Sequence, residues 1–178
     1  MLRIAVLGAE STGKTSLVHA MARQLQAEGA RVLVIEEVLR QWCKDHNRTP
    51  HAAEQAGIVQ SQISLVDATA ACDYLLCDTT PLMTAIYSDL LFGDTSLYPQ
   101  ALEQQRRYAL NLVTEPDLPW QPDGLQRDGV AAQQRVDQRL HELLHRYAIP
   151  SALVSGSGAL RLRCAMEALD HFRQGVRQ

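Results

Sequence analysis

The chain has 178 residues, 46% of them hydrophobic, and a formal net charge of −3. That length suits one compact α/β unit, 1–178, with a full core and no need of staples. The interspersed charges offer no basic field to hold a nucleic acid, and no apolar run reaches the roughly 18 residues of a membrane span.

Ile4 to Leu7 form a hydrophobic run that stops at Gly8. Gly13, Lys14 and Thr15 follow, and then Leu17, Val18, Met21, Ala22 and Leu25 recur at helical spacing. This is G-x-x-x-x-G-K-S/T between a strand and a helix, the pattern of a phosphate-binding P-loop. Glycines allow the tight wrap, and backbone N–H groups with the positive helix end cradle the phosphate. Gly8, Glu10, Ser11, Thr12, Gly13, Lys14, Thr15 and Ser16 are therefore expected to bind ATP. Lys14 would reach the β- and γ-phosphates, and the Thr15 hydroxyl would ligate Mg²⁺.

The second strand is predicted over 30–37, ending in Glu36 and Glu37. A long helix follows through Ala52, Ala56, Val59, Ile63, Val66 and Ala70. Residues 73–78 read as the third strand and 80–93 as a helix capped by Thr79 or Thr80, with Gly93 at its end. A short helix is expected over 97–107 and a fourth strand over 108–114. The proline-bearing stretch beyond it, about 115–130, reads as a lid. Ala132 to Tyr147 mark an amphipathic helix, 149–156 the fifth strand and 158–174 a closing helix. Alternating strands and helices imply a five-stranded parallel sheet covered on both faces, with ligands at the carboxyl ends of the strands. Cys43, Cys72, Cys77 and Cys164 lack C-x-x-C spacing and sit in apolar or helical surroundings, as reduced thiols do. With no export signal before the first strand, a cytoplasmic location is expected.

Strand ends supply the acids. Asp78 is placed to hold Mg²⁺ directly or through water, or to accept a proton from an attacking hydroxyl; its alternative role is a helix N-cap. Glu37 and Arg40, one helical turn apart, offer an acceptor and a donor to a polar substrate, or form an exposed ion pair worth about 0.2–0.5 kcal/mol. Trp120, between two prolines of the lid, would cover a flat ring or pack within the loop. Arg127 would neutralise charge on a transferring phosphoryl group or lie solvated. His141-Glu-Leu-Leu-His145 matches the H-E-x-x-H zinc pattern with Glu167 as a third ligand. Its histidines flank the apolar stripe of their helix, which favours a solvated face.

In order along nearly the whole chain, GAESTGKTSL, EEVLRQW, LLCDTTPLMTAIYSDLLFG and LVTEPDLPWQPDGLQRDG resemble the ribosylnicotinamide kinase domain of NadR-type proteins and its stand-alone P-loop relatives. The resemblance implies a nucleoside-kinase-like fold with a lid, and transfer of the ATP γ-phosphate to a nucleoside hydroxyl. It also implies a metal or catalytic role for Asp78, substrate contacts from Glu37 and Arg40, and lid roles for Trp120, Asp123 and Arg127. The expected substrate is nicotinamide riboside, the expected metal Mg²⁺, and a homo-oligomer is compatible with both. A regulatory ATPase that moves a partner instead of enclosing a nucleoside is the alternative.

Overall fold

A computed structural model describes residues 1–121 and 129–175. The elements follow in the order β1 (Leu2–Leu7), α1 (Lys14–Ala27), β2 (Val32–Ile35), α2 (Val38–His46), α3 (Ala52–Asp67) and β3 (Tyr74–Asp78). They continue as α4 (Pro81–Phe92), α5 (Tyr98–Gln105), β4 (Leu110–Thr114), α6 (Gly129–Arg146), β5 (Ala152–Val154) and α7 (Gly158–Gly175). The five strands form one parallel sheet in the order β2-β3-β1-β4-β5.

Side-chain alternation along the buried strands divides the core into two layers. Ile4 and Val6 of β1, Leu76 of β3 and Leu110 and Leu112 of β4 pack with α1 and α7. Ala5 and Leu7, Leu75 and Cys77, and Val113 point the other way, into the layer built by α3 to α6. A strand buried on both faces has no polar side, which is why β1 reads as a continuous apolar run.

Several boundaries depart from the sequence reading for identifiable reasons. β2 is an edge strand of four residues, so Glu36 and Glu37 leave the sheet instead of ending it. α2 is a full helix where the sequence suggests only one turn at Glu37 and Arg40. Leu39 and Cys43, four apart, are its buried contacts, and Asn47 closes it at φ 51°. Thr80 is the N-cap of α4, its hydroxyl accepting from the Leu82 N–H at 3.3 Å, and Gly93 is the left-handed C-cap.

β1 sits at the centre, and the chain builds outward from it on both sides. Val6 is in register with Asp78, and Leu7 with Val113. The loop after β1 therefore opens between the carboxyl ends of β3 and β4, where an open α/β sheet places its ligand crevice. All four cysteines are free thiols, three of them buried. Among the described residues no helix is long and apolar enough to cross a membrane.

Candidate functional site

Gly8 leaves β1 at φ 145° directly under the end of β4. A Cβ there would overlap the Thr114 hydroxyl and lie 2.9 Å from the Thr114 carbonyl oxygen, so the first glycine of the motif is a close-approach residue. Thr114 Oγ1 donates to the Leu7 carbonyl at 3.0 Å, and the Thr12 hydroxyl donates to the Ala9 carbonyl at 2.8 Å. Ser11 (φ 57°) and Gly13 (φ 77°) are both left-handed, and alternation of this kind turns successive N–H groups to one side of a concave loop. α1 begins at Lys14 with no acidic residue in its first turn, which leaves its positive end for an anion. The Lys14 ammonium is bent onto the Ala9 carbonyl at 2.7 Å.

Thr15 of α1, Glu37 and Arg40 at the start of α2, and Asp78 at the end of β3 come from three places in the chain and meet beside this loop. The Thr15 hydroxyl donates to Asp78 Oδ2 at 2.5 Å and accepts from Arg40 Nη1 at 2.7 Å. Arg40 Nη2 lies 3.0 Å from Glu37 Oε2, and Nη1 lies 3.9 Å from Asp78 Oδ2. Two of the sequence alternatives are thereby corrected. Glu37 and Arg40 are not an exposed i,i+3 pair, since Glu37 is 9% exposed and the guanidinium also reaches Thr15. Asp78 is not a helix cap, because Thr80 fills that position.

The cluster suits a hard divalent cation. Asp78 is wholly buried, and its Oδ1 accepts no hydrogen bond among the described residues. A buried carboxylate oxygen of this kind is costly unless something positive completes it. With the adjacent Thr15 hydroxyl it forms an oxygen donor set of the type Mg²⁺ selects.

A cleft of about 450 Å³ lies over the loop, floored by Ser11, Gly13, Lys14, Thr15 and Ser16, with Arg40 on one side. Its other wall is Leu118, Pro119 and Gln121 from the segment that follows β4. The Ser11 hydroxyl donates to the Gln121 carbonyl, so the segment after β4 is fastened to the tip of the loop. Trp120 is half-buried and is not among the lining residues described; Asp123 and Arg127 lie outside the described residues.

Two residues that the sequence reading passed over hold the loop from behind. Gln133 of α6 donates to the Glu10 carbonyl at 2.7 Å, and Arg161 of α7 donates to the Thr12 carbonyl at 2.9 Å. Each occupies a core position on its helix stripe, with Val136 and Leu140 following Gln133 and Ala165 and Leu169 following Arg161. A polar residue on an apolar stripe was the available signal. Away from this region, His141 of the H-E-x-x-H match pairs with Asp137 at 3.7 Å. No three His, Cys, Asp or Glu side chains converge as a metal site among the described residues.

Loop, sheet order and strand-end acid together define a P-loop nucleotide-binding fold of the kinase-like type. The chain belongs to the AAA domain family, whose model matches residues 3–161. Two solved structures of NadR protein are similar to it, one in complex with NAD and AMP-PNP (20% identity) and one with NR (19%), each with a TM-score of 0.75. Both alignments cover 96% of this chain but only 49% and 51% of the NadR chains, so the protein spans about half their length. A deoxyadenosine kinase from M. mycoides, with products dCMP and dCDP bound, aligns over 96% of this chain and 100% of its own at 12% identity and a TM-score of 0.66. No curated protein sequence matches the chain.

Proposed function

We propose that the protein is an ATP-dependent kinase that transfers the γ-phosphate to a nucleoside hydroxyl. The observation that carries this reading is the meeting of Thr15, Asp78, Arg40 and Glu37 beside the phosphate loop. A bare nucleotide switch needs a loop and a metal ligand; a buried acceptor, Glu37, and a half-buried donor, Arg40, next to them suit a second polar substrate.

In this reading the loop N–H groups and Lys14 bind the β- and γ-phosphates, and Thr15 and Asp78 hold Mg²⁺. The metal, when bound, supplies charge neutralisation at the phosphate oxygens. Phosphoryl transfer is governed by positioning and electrostatics. Asp78, holding the metal through water, would accept the proton of the acceptor hydroxyl as it attacks. The Glu37 carboxylate and the Arg40 guanidinium orient the acceptor, and Arg40 balances the added charge. Substrate-side roles for Trp120, Asp123 and Arg127, the last two outside the described residues, rest on the resemblance of the motifs, within a single unit 1–178. Nicotinamide riboside is the first acceptor to test, because the motifs of the chain resemble those of ribosylnicotinamide kinases and one similar structure holds NR.

The test is a panel of nucleosides, nicotinamide riboside included, incubated with ATP and Mg²⁺ and resolved for 5′-mononucleotides. A mononucleotide product from any member supports the kinase, and the member with the highest kcat/KM names the acceptor. ATP hydrolysis at one rate with every nucleoside and with none, and no mononucleotide, would replace it with the regulatory ATPase.

A further inference from the structure

We infer that Gln133 and Arg161 are positioning residues for phosphate binding, which aim the Ser11 and Gly13 N–H groups into the loop by holding the carbonyls that precede them. The inference rests on the reading of residues 8–16 as a nucleotide-binding loop. Neither side chain lines the cleft described over the loop.

The argument begins with the peptide unit. In a planar trans peptide the C=O of one residue and the N–H of the next point in opposite directions. A donor that fixes a carbonyl on one side of the chain therefore fixes the following N–H on the other side. Gln133 Nε2 holds the Glu10 carbonyl at 2.7 Å, which turns the Ser11 N–H away from α6. Arg161 Nη1 holds the Thr12 carbonyl at 2.9 Å, which turns the Gly13 N–H away from α7. The two held peptides alternate along the loop and precede its two left-handed residues, Ser11 and Gly13.

Both donors are buried. Each is 3% exposed, so neither has water as a competing partner. Arg161 spreads its remaining protons over the Gly156 carbonyl at 2.7 Å, the Glu115 carbonyl at 3.3 Å and the Asp117 carboxylate. Asp117 accepts in turn from the Gly156 N–H at 2.6 Å. The guanidinium thus ties the loop to the strand ends of β4 and β5 at one point. Ser11 needs such support, because a left-handed conformation is unfavourable for a residue with a Cβ. A loop whose N–H groups are aimed before the anion arrives spends none of its binding energy on turning them.

Gln133→Leu keeps the shape of the side chain and removes the donor, and Arg161→Lys keeps the charge and removes the fork. Inorganic tripolyphosphate and ATP are titrated into each purified full-length protein by calorimetry, well below its melting temperature, with folding checked by circular dichroism. Wild type is expected to bind both, and each variant to bind both about tenfold more weakly, the scale of one lost hydrogen bond to a charged group. KM for ATP should rise by the same factor while KM for the nucleoside stays put, a split that general destabilisation does not produce. Folded Gln133→Leu that binds tripolyphosphate within twofold of wild type overturns the inference and leaves the loop reading intact. Wild type that binds neither ligand overturns both. Should Arg161→Lys fail to fold, Gln133→Leu decides.

Discussion

Replacing Asp78 by asparagine separates the chemistry of the strand-end acid from its part in the fold. Asparagine has the same shape and keeps an oxygen to accept from the Thr15 hydroxyl, now 2.5 Å from Asp78 Oδ2. What disappears is the charge facing Arg40 at 3.9 Å. At an effective dielectric of about 20 the gross attraction across that gap is about 4 kcal/mol. Arg40 is 30% exposed, so solvent screens part of it, and the neutral amide no longer carries the desolvation cost of a buried carboxylate. The net change in stability should be about 1 kcal/mol or less. Turnover should fall much further, by about 10²-fold or more, which is about 2.7 kcal/mol on the barrier. Affinity for ATP without metal should move less than about threefold, because the loop and Lys14 are untouched. Rapid-quench transfer assays measure the first quantity and calorimetry the second. A folded Asp78→Asn protein that turns over within threefold of wild type would refute the role of this acid.

Lys14→Ala should leave the protein folded and abolish phosphoryl transfer, since an ammonium held against the Ala9 carbonyl of the loop serves as a charge clamp for phosphate; turnover in the folded variant would remove the loop from the mechanism. Gly8→Ala should destabilise the protein by about 1–3 kcal/mol through the clash with Thr114, read as a shift of the urea midpoint. The Glu54 carboxyl is held down to about 2 by the Arg48 guanidinium and the His51 N–H. Its stabilisation is present above the ordinary value of 4.5 and lost as pH falls toward 2. Glu54→Gln should therefore lower the melting temperature at pH 7 and have a smaller effect at pH 3; an equal effect at both would show that its charge plays no part.

What could be read from the sequence divides by how local the signal is. The P-loop is contiguous, and its glycines and its Lys-Thr pair keep their spacing, so the loop is legible without any tertiary contact. Asp78 is legible for a different reason: an apolar strand that ends in an acid points that acid at the crevice of a parallel sheet. The bond from Arg40 to Thr15 spans 25 residues and needs α2 in place, which a short helix with only two buried contacts does not announce. Gln133 and Arg161 were harder still. Each is one polar residue in a long amphipathic helix, and its partner carbonyl lies more than 120 residues earlier. Backbone carbonyls carry no sequence signature, so such contacts appear only once the fold brings the helices together.

The fate of the γ-phosphate tests the central proposal most directly. With γ-labelled ATP, Mg²⁺ and saturating nicotinamide riboside in a single-turnover quench, the kinase reading predicts that the label leaves ATP as a mononucleotide. It further predicts little release of inorganic phosphate, and a rate that collapses when the nucleoside is omitted. Label released as inorganic phosphate at the same rate with and without every nucleoside of the panel would contradict it.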